Sequence, residues 1–205
     1  MREAIDIHAD ALKRAALEAG PTAPVRNCPK WTVHDLVAHI GFVHGLAVSL
    51  AVNRPVKPVP PSGWDDLLGW WDGHRLALRE AFGQDPEAPA FSPYPGFDVT
   101  VGDWTRRMAH ETAIHRLDAE SALADVPPTR FPPEFANDGI DEYLTFLTPR
   151  RGITADVRVT TPERTWTFGA PNAEVSGAAD DVYRALWGRP HQASVTGDLE
   201  PLAAP

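Results

Sequence analysis

Four stretches within the first 124 residues repeat apolar side chains every three or four positions, and each ends at a glycine or a proline-rich break. That period lines one face of a helix, so each stretch must bury its face against another helix. Ile5, His8, Leu12, Ala15 and Ala19 mark the first, stopped by Gly20 and Pro21. Thr32 followed by Asp35 reads as a capping box opening the second, which runs through "DLVAHIGFVHGLAVSLAV" to the proline-rich segment 53–63. Trp64, Leu67, Leu68, Trp71, Leu78 and Phe82 mark the third, closed by Gly83. Prolines make 84–98 a loop, and the fourth helix runs from near Val99 to about Ala124. The expectation is a four-helix bundle, with a short further helix over 133–147.

After Pro149 the period changes. Ile153, Ala155, Val157 and Val159 alternate with polar residues, as in a strand, and 165–168 returns as a second strand after a turn at Pro162-Glu163. A helix over 178–187 and a last strand over 193–196 complete the reading. The fold class is therefore α+β: a helical bundle over 1–148 followed by a small C-terminal α+β module over 149–205.

The net charge is −9, and the densest basic clusters are the pairs Arg106-Arg107 and Arg150-Arg151. Binding phosphate backbones or anionic lipid needs clustered Lys and Arg, so nucleic acid and membrane surfaces are excluded as partners. No apolar run approaches the roughly 20 residues of a bilayer span, and the acid-containing N-terminus lacks the apolar core of a secretory signal. Cys28 is the only cysteine, so no intrachain disulfide can form. These features fit a cytoplasmic protein, and a homodimer is compatible with them.

The stretch "AHETAIHR" (109–116) resembles a His-Glu-x-x-His zinc helix but is one residue too long. His110 and His115 are five apart, about 140° around a helix, and cannot share an ion; Glu111 and His115 are four apart and can. Trp104, Met108, Glu111, His115 and Ala119 follow one core-facing stripe, so a carboxylate and an imidazole stand where leucines would serve. A buried carboxylate needs compensation. It is either an ion pair inside the bundle or a metal ligand set completed from another helix. His39 lies mid-stripe on the second helix, among Leu36, Ile40 and Val43, with His44 beside it. Two imidazoles and one carboxylate suit zinc with an open position, and also iron or nickel. Arg107 and His110 are read as lying off the metal face, Asp118 and Glu120 as surface pairs near the end of the helix, and His74, near Trp70 and Trp71, as either core packing or pocket lining.

"CPKWTVHDLVAHIGFVHGLA" (28–47) and "DWTRRMAHETAIHRLDAE" (103–120) together resemble the second- and fourth-helix signatures of the mycothiol-dependent maleylpyruvate isomerase family, whose bundle is of the DinB-like metal-binding type. "DGIDEYL" (138–144), "ALWGRP" (185–190) and "TGD" (196–198) resemble, more weakly, its C-terminal part, which is related to sterol carrier proteins. The resemblance implies a divalent metal, zinc in the isomerase, held by His39, Glu111 and His115. It also implies a low-molecular-weight thiol cofactor such as mycothiol, and an arginine near that thiol, for which Arg189 is the candidate in a module shorter than the family's. The implied activity is a metal-dependent thiol transferase or isomerase acting on a small electrophilic molecule, the thiol adding to a conjugated double bond in the isomerase. Two other readings stand beside it: a non-catalytic metal-binding or interaction protein that keeps the fold, and a metal-water hydrolase or lyase that uses no thiol.

Overall fold

The structure, a computed structural model, describes residues 1–123, 126–127, 129–150, 152, 156–189 and 195–197. The chain divides into two compact units, Met1–Pro128 and Thr129–Pro205.

In the first unit the described residues form four long helices, α1 (Arg2–Ala19), α2 (Val33–Ala51), α3 (Trp64–Ala81) and α4 (Val101–Ser121). The period-3.6 stripes become their contacts: α1 packs on α4, α2 on α3, and α2 also on α4. Leu12, Val25, Leu36, Val37, Ile40, Leu67, Trp71 and Ala119 form a fully buried centre. Gly20, at φ +81°, ends α1 in a conformation that a side chain would strain. The Thr32–Asp35 capping box is formed: the Asp35 carboxylate accepts from the Thr32 N–H at 2.9 Å and the Thr32 hydroxyl accepts from the Asp35 N–H at 3.3 Å. Thr100 and Asp103 repeat this arrangement at the start of α4. The proline-rich loop before α4 is tied down by a two-residue antiparallel ladder, β1 (Pro89–Ala90) with β2 (Val99–Thr100), which the sequence reading had as irregular. The Trp104 indole N–H donates to the Phe91 carbonyl at 3.2 Å and fixes the same loop to α4.

By length and composition α2 is apolar enough to cross a bilayer, a property that the sequence reading denied to every segment. In the fold, 56% of that stretch is buried. Its closeness to α3 depends on two glycines one helical turn apart. A Cβ at Gly41 would stand 2.5 Å from Trp70 Cζ3, and one at Gly45 would stand 2.6 Å from His74 Cε1 and 2.8 Å from Pro58 Cγ.

The second unit begins with α5 (Pro133–Glu142), which runs on through a π-helical turn (Tyr143–Leu147) into α6 (Thr148–Arg150). Four strands follow among the described residues, β3 (Val157–Thr160), β4 (Thr165–Thr167), β5 (Ala173–Gly177) and β6 (Val195–Gly197), in the order β4-β3-β5-β6. Between β5 and β6 comes α7 (Ala179–Leu186). The β3–β5 pair is parallel and the other two are antiparallel. Val157, Val159, Trp166 and Val175 are buried, as are Val182 and Tyr183 of α7. Phe131 and Phe135 meet the Tyr183 ring at 5.4 and 6.2 Å, which packs α5 on α7.

Two expectations change. The division falls after Pro128 rather than after residue 148, because the helix over 133–142 packs against α7. The central strand β5 has no counterpart in the sequence expectations: its only fully buried side chain is Val175, too little alternation to mark a strand. Of the expected strands, Ile153, Ala155 and Ala193 lie outside the described residues.

Gly45→Ala is expected to destabilise the protein by about 1–3 kcal/mol through overpacking against His74 and Pro58. The measurement is a urea unfolding curve, and an unchanged midpoint would show that α2 and α3 do not depend on this close approach.

Candidate metal centre

α2 presents His39, while α4 presents Glu111 and His115 one turn apart. Glu111 Oε1 lies 3.2 Å from His39 Nε2 and 3.1 Å from His115 Nε2. The three ligand atoms fall within 4.8 Å of one another, and this is the one such metal-type cluster identified among the described residues. Donors at about 2.0–2.1 Å from a tetrahedral zinc ion would sit about 3.3 Å apart. The donor types and the two measured separations therefore fit a divalent ion. Side-chain exposure falls from 32% at His39 to 15% at Glu111 and 9% at His115, so the cluster is reached from the His39 side.

Trp31 walls the cluster. Its ring centroid is 4.9 Å from that of His39 and 6.0 Å from that of His115. The loop before α2 holds it there through a 2.8 Å bond from the Trp31 N–H to the Cys28 carbonyl and a 3.0 Å bond from the Val25 N–H to the Trp31 carbonyl.

Two residues that the sequence reading put elsewhere complete the site. Asp118, expected in a surface pair, is fully buried and accepts from His115 Nδ1–H at 2.8 Å. With Nδ1 committed to Asp118, Nε2 is the nitrogen turned toward Glu111 and His39. The Cys28 thiol donates to the same Asp118 oxygen at 3.6 Å. Arg107, expected off the stripe, is buried and bonds Glu111 Oε2 from one turn earlier on α4. Glu120, also expected at the surface, is mostly buried and accepts from Arg116 Nε at 2.7 Å. Cys28 thus serves the hydrogen-bond frame around His115.

The electrostatics follow from these contacts. Burial alone would raise the Glu111 carboxyl pKa, but the Arg107 guanidinium and the two imidazoles outweigh it and hold the group well below the usual carboxylate range. Burial would lower His115, yet its bonds to Asp118 and Glu111 prevail and raise its pKa to about 9. Without metal the centre is an imidazolium between two carboxylates.

His44 is not part of this cluster. Its Nδ1 accepts from the Trp71 indole N–H at 3.2 Å, so its Nε2–H donates to the Thr112 hydroxyl at 2.9 Å. Burial, with Arg75 nearby, lowers its pKa to about 3 and keeps it neutral. His74 lies edge-on to Trp70 and packs over Gly45. Arg189 belongs to the other unit, just after α7, where its guanidinium donates to the Trp187 carbonyl.

Comparison with known proteins bears on this geometry. Residues 1–120 match the family model described as the mycothiol maleylpyruvate isomerase N-terminal domain, and residues 134–204 match the MDMPI C-terminal domain. The crystal structure of a mycothiol-dependent maleylpyruvate isomerase aligns with a TM-score of 0.64, at 14% identity over 100% of this chain and 94% of that one. A mutant of such an isomerase, with a histidine replaced by alanine, aligns with a TM-score of 0.71 at the same identity and coverage. At that identity the likeness establishes the fold. No match was found among curated proteins.

The raised His115 pKa carries a sign. Its stabilising contribution is fully present below about pH 6.5 and is lost as pH rises through about 9. Metal-free protein is expected to melt at progressively lower temperature across that window, and His115→Gln to remove that part of the slope. An NMR titration of the metal-free His115 ring with a midpoint at or below its ordinary value would contradict this.

Proposed function

The chain belongs to the mycothiol-dependent maleylpyruvate isomerase family, and from that premise we propose that it is a divalent-metal-dependent enzyme using a low-molecular-weight thiol of the mycothiol type. Its reaction is isomerisation of, or thiol transfer to, a small electrophilic molecule, carried out in the cytoplasm. The observation that carries the reading is the convergence of His39 Nε2, His115 Nε2 and Glu111 Oε1 at separations suited to one ion.

In this reading His39, Glu111 and His115 hold the metal, zinc in the first instance, with nickel or iron as alternatives from the same donor set. When bound, such an ion lowers the pKa of a coordinated thiol or water toward neutrality. The protein's own groups do the rest. Asp118 keeps the His115 proton on Nδ1, leaving Nε2 free to face the ion. Trp31 covers one side of the two imidazoles and excludes water there. His39, the most exposed of the three, marks the side by which thiol and substrate enter. Arg189 takes an anionic group of thiol or substrate, an assignment resting on the family resemblance alone.

A second reading has one observation in its favour. Glu111 is fully engaged by Arg107, His39 and His115 without any ion, as a purely structural polar network would be. The protein would then be a non-catalytic binding module that keeps the family fold.

Two measurements separate them. Below about pH 9 His115 carries a proton that an ion must displace, so zinc binding near neutral pH is expected to release about one proton per ion. Calorimetry in buffers of different ionisation enthalpy reads this, and zero release would remove His115 as a ligand. Mycothiol titrated into zinc-loaded protein is expected to bind, and to fail with His39→Ala. Equal binding to metal-free protein, or none to the loaded form, would leave the thiol reading without support.

A further inference from the structure

Glu111 offers its two carboxylate oxygens to different partners. Oε1 faces both histidines, at 3.2 and 3.1 Å, while Oε2 is held by the Arg107 guanidinium. Arg107 is four residues earlier on the same helix, and its side chain is 6% exposed. A guanidinium is planar, permanently charged and preorganised for carboxylate oxygens, and here it is packed so that it has little freedom to leave. Carboxylates otherwise bind metal ions through one oxygen or through both. The number of positions an ion keeps open depends on which mode the protein enforces.

We infer that Arg107 is a positioning residue that restricts Glu111 to a single ligand oxygen, so that the protein supplies three donor atoms and coordination positions remain for an incoming thiol or substrate. This rests on the metal-binding reading given above. A guanidinium that only balanced charge would be replaceable by any nearby cation. One that blocks Oε2 acts by occupying that oxygen, and its loss should change the coordination of the ion rather than its presence.

Cobalt(II) is the probe, because its visible absorption is strong with four ligands and weakens as ligands are added, and because a coordinated thiolate adds a charge-transfer band in the near ultraviolet. Wild-type protein, Arg107→Met and Arg107→Lys are loaded with cobalt(II), their fold checked by circular dichroism, and each is titrated with mycothiol. Arg107→Met is expected to bind about one ion per chain, as the wild type does. Its visible absorption should be several-fold weaker, and its thiolate band should develop only at higher thiol concentration, because Glu111 now supplies both oxygens. Arg107→Lys, which keeps a cation against Oε2, is expected to fall between the two and serves if the methionine variant does not fold. Spectra and thiol titrations identical to the wild type in the folded variants would overturn the inference. So would a folded Arg107→Met that binds no cobalt, since Arg107 would then be needed to assemble the site. A wild-type protein that takes up no cobalt would instead overturn the metal reading itself, and this inference with it.

Discussion

A carboxylate buried on the core face of α4 is the constraint around which the rest of the bundle is arranged. Glu111 stands in a stripe that is otherwise apolar, where an uncompensated charge costs several kcal/mol or forces neutralisation. The fold answers with a cation on one oxygen, Arg107, and two imidazoles on the other. One of those imidazoles is itself held charged by a second buried carboxylate, Asp118. The result alternates in sign along one helix and reaches across to α2 through His39. Such a chain is costly to leave half satisfied. It also brings two Nε2 atoms to 3.2 and 3.1 Å from one Oε1, in a cluster whose ligand atoms lie within 4.8 Å of one another.

Holding that geometry requires α2 and α4 to stay in register, and local sequence supplies the means. Both ligand-bearing helices begin at a Thr-x-x-Asp capping box, Thr32 with Asp35 and Thr100 with Asp103, which fixes where each helix starts and hence which residues face inward. On its other side α2 is pressed against α3, where Gly41 and Gly45 admit Trp70 and His74 at distances that no side chain at those two positions would allow. The loop before α2 closes over the cluster with Trp31 and brings Cys28 against Asp118. Capping, close packing and polar satisfaction thus agree on one arrangement, the kind of agreement across levels that specifies a single fold.

Much of this was legible beforehand, and what was not has physical reasons. The four helical periods, both breaks at glycine and the pairing of Glu111 with His115 follow from spacing alone, and His39 follows from its place in the α2 stripe. Arg107 and Asp118 were open to the same reasoning, being four before Glu111 and three after His115. They were misassigned because charged side chains are usually at the surface, a prior that fails when each has a buried partner of opposite sign. In the C-terminal unit, β5 was missed because strand alternation needs more than one buried side chain to register. The domain boundary was displaced because a helix period does not say which neighbour the helix packs on; the Phe131–Phe135–Tyr183 cluster does.

The central claim is that His39, Glu111 and His115 together hold one divalent ion. Elemental analysis of purified protein tests it most directly, on the wild type and on His39→Ala, Glu111→Ala and His115→Ala, each shown to be folded. The account predicts about one ion per wild-type chain, as for a three-ligand mononuclear site, and loss of that ion in all three variants. A wild-type protein that holds no metal even after reconstitution with zinc, or variants that retain it, would contradict the account and leave the cluster as a buried polar network.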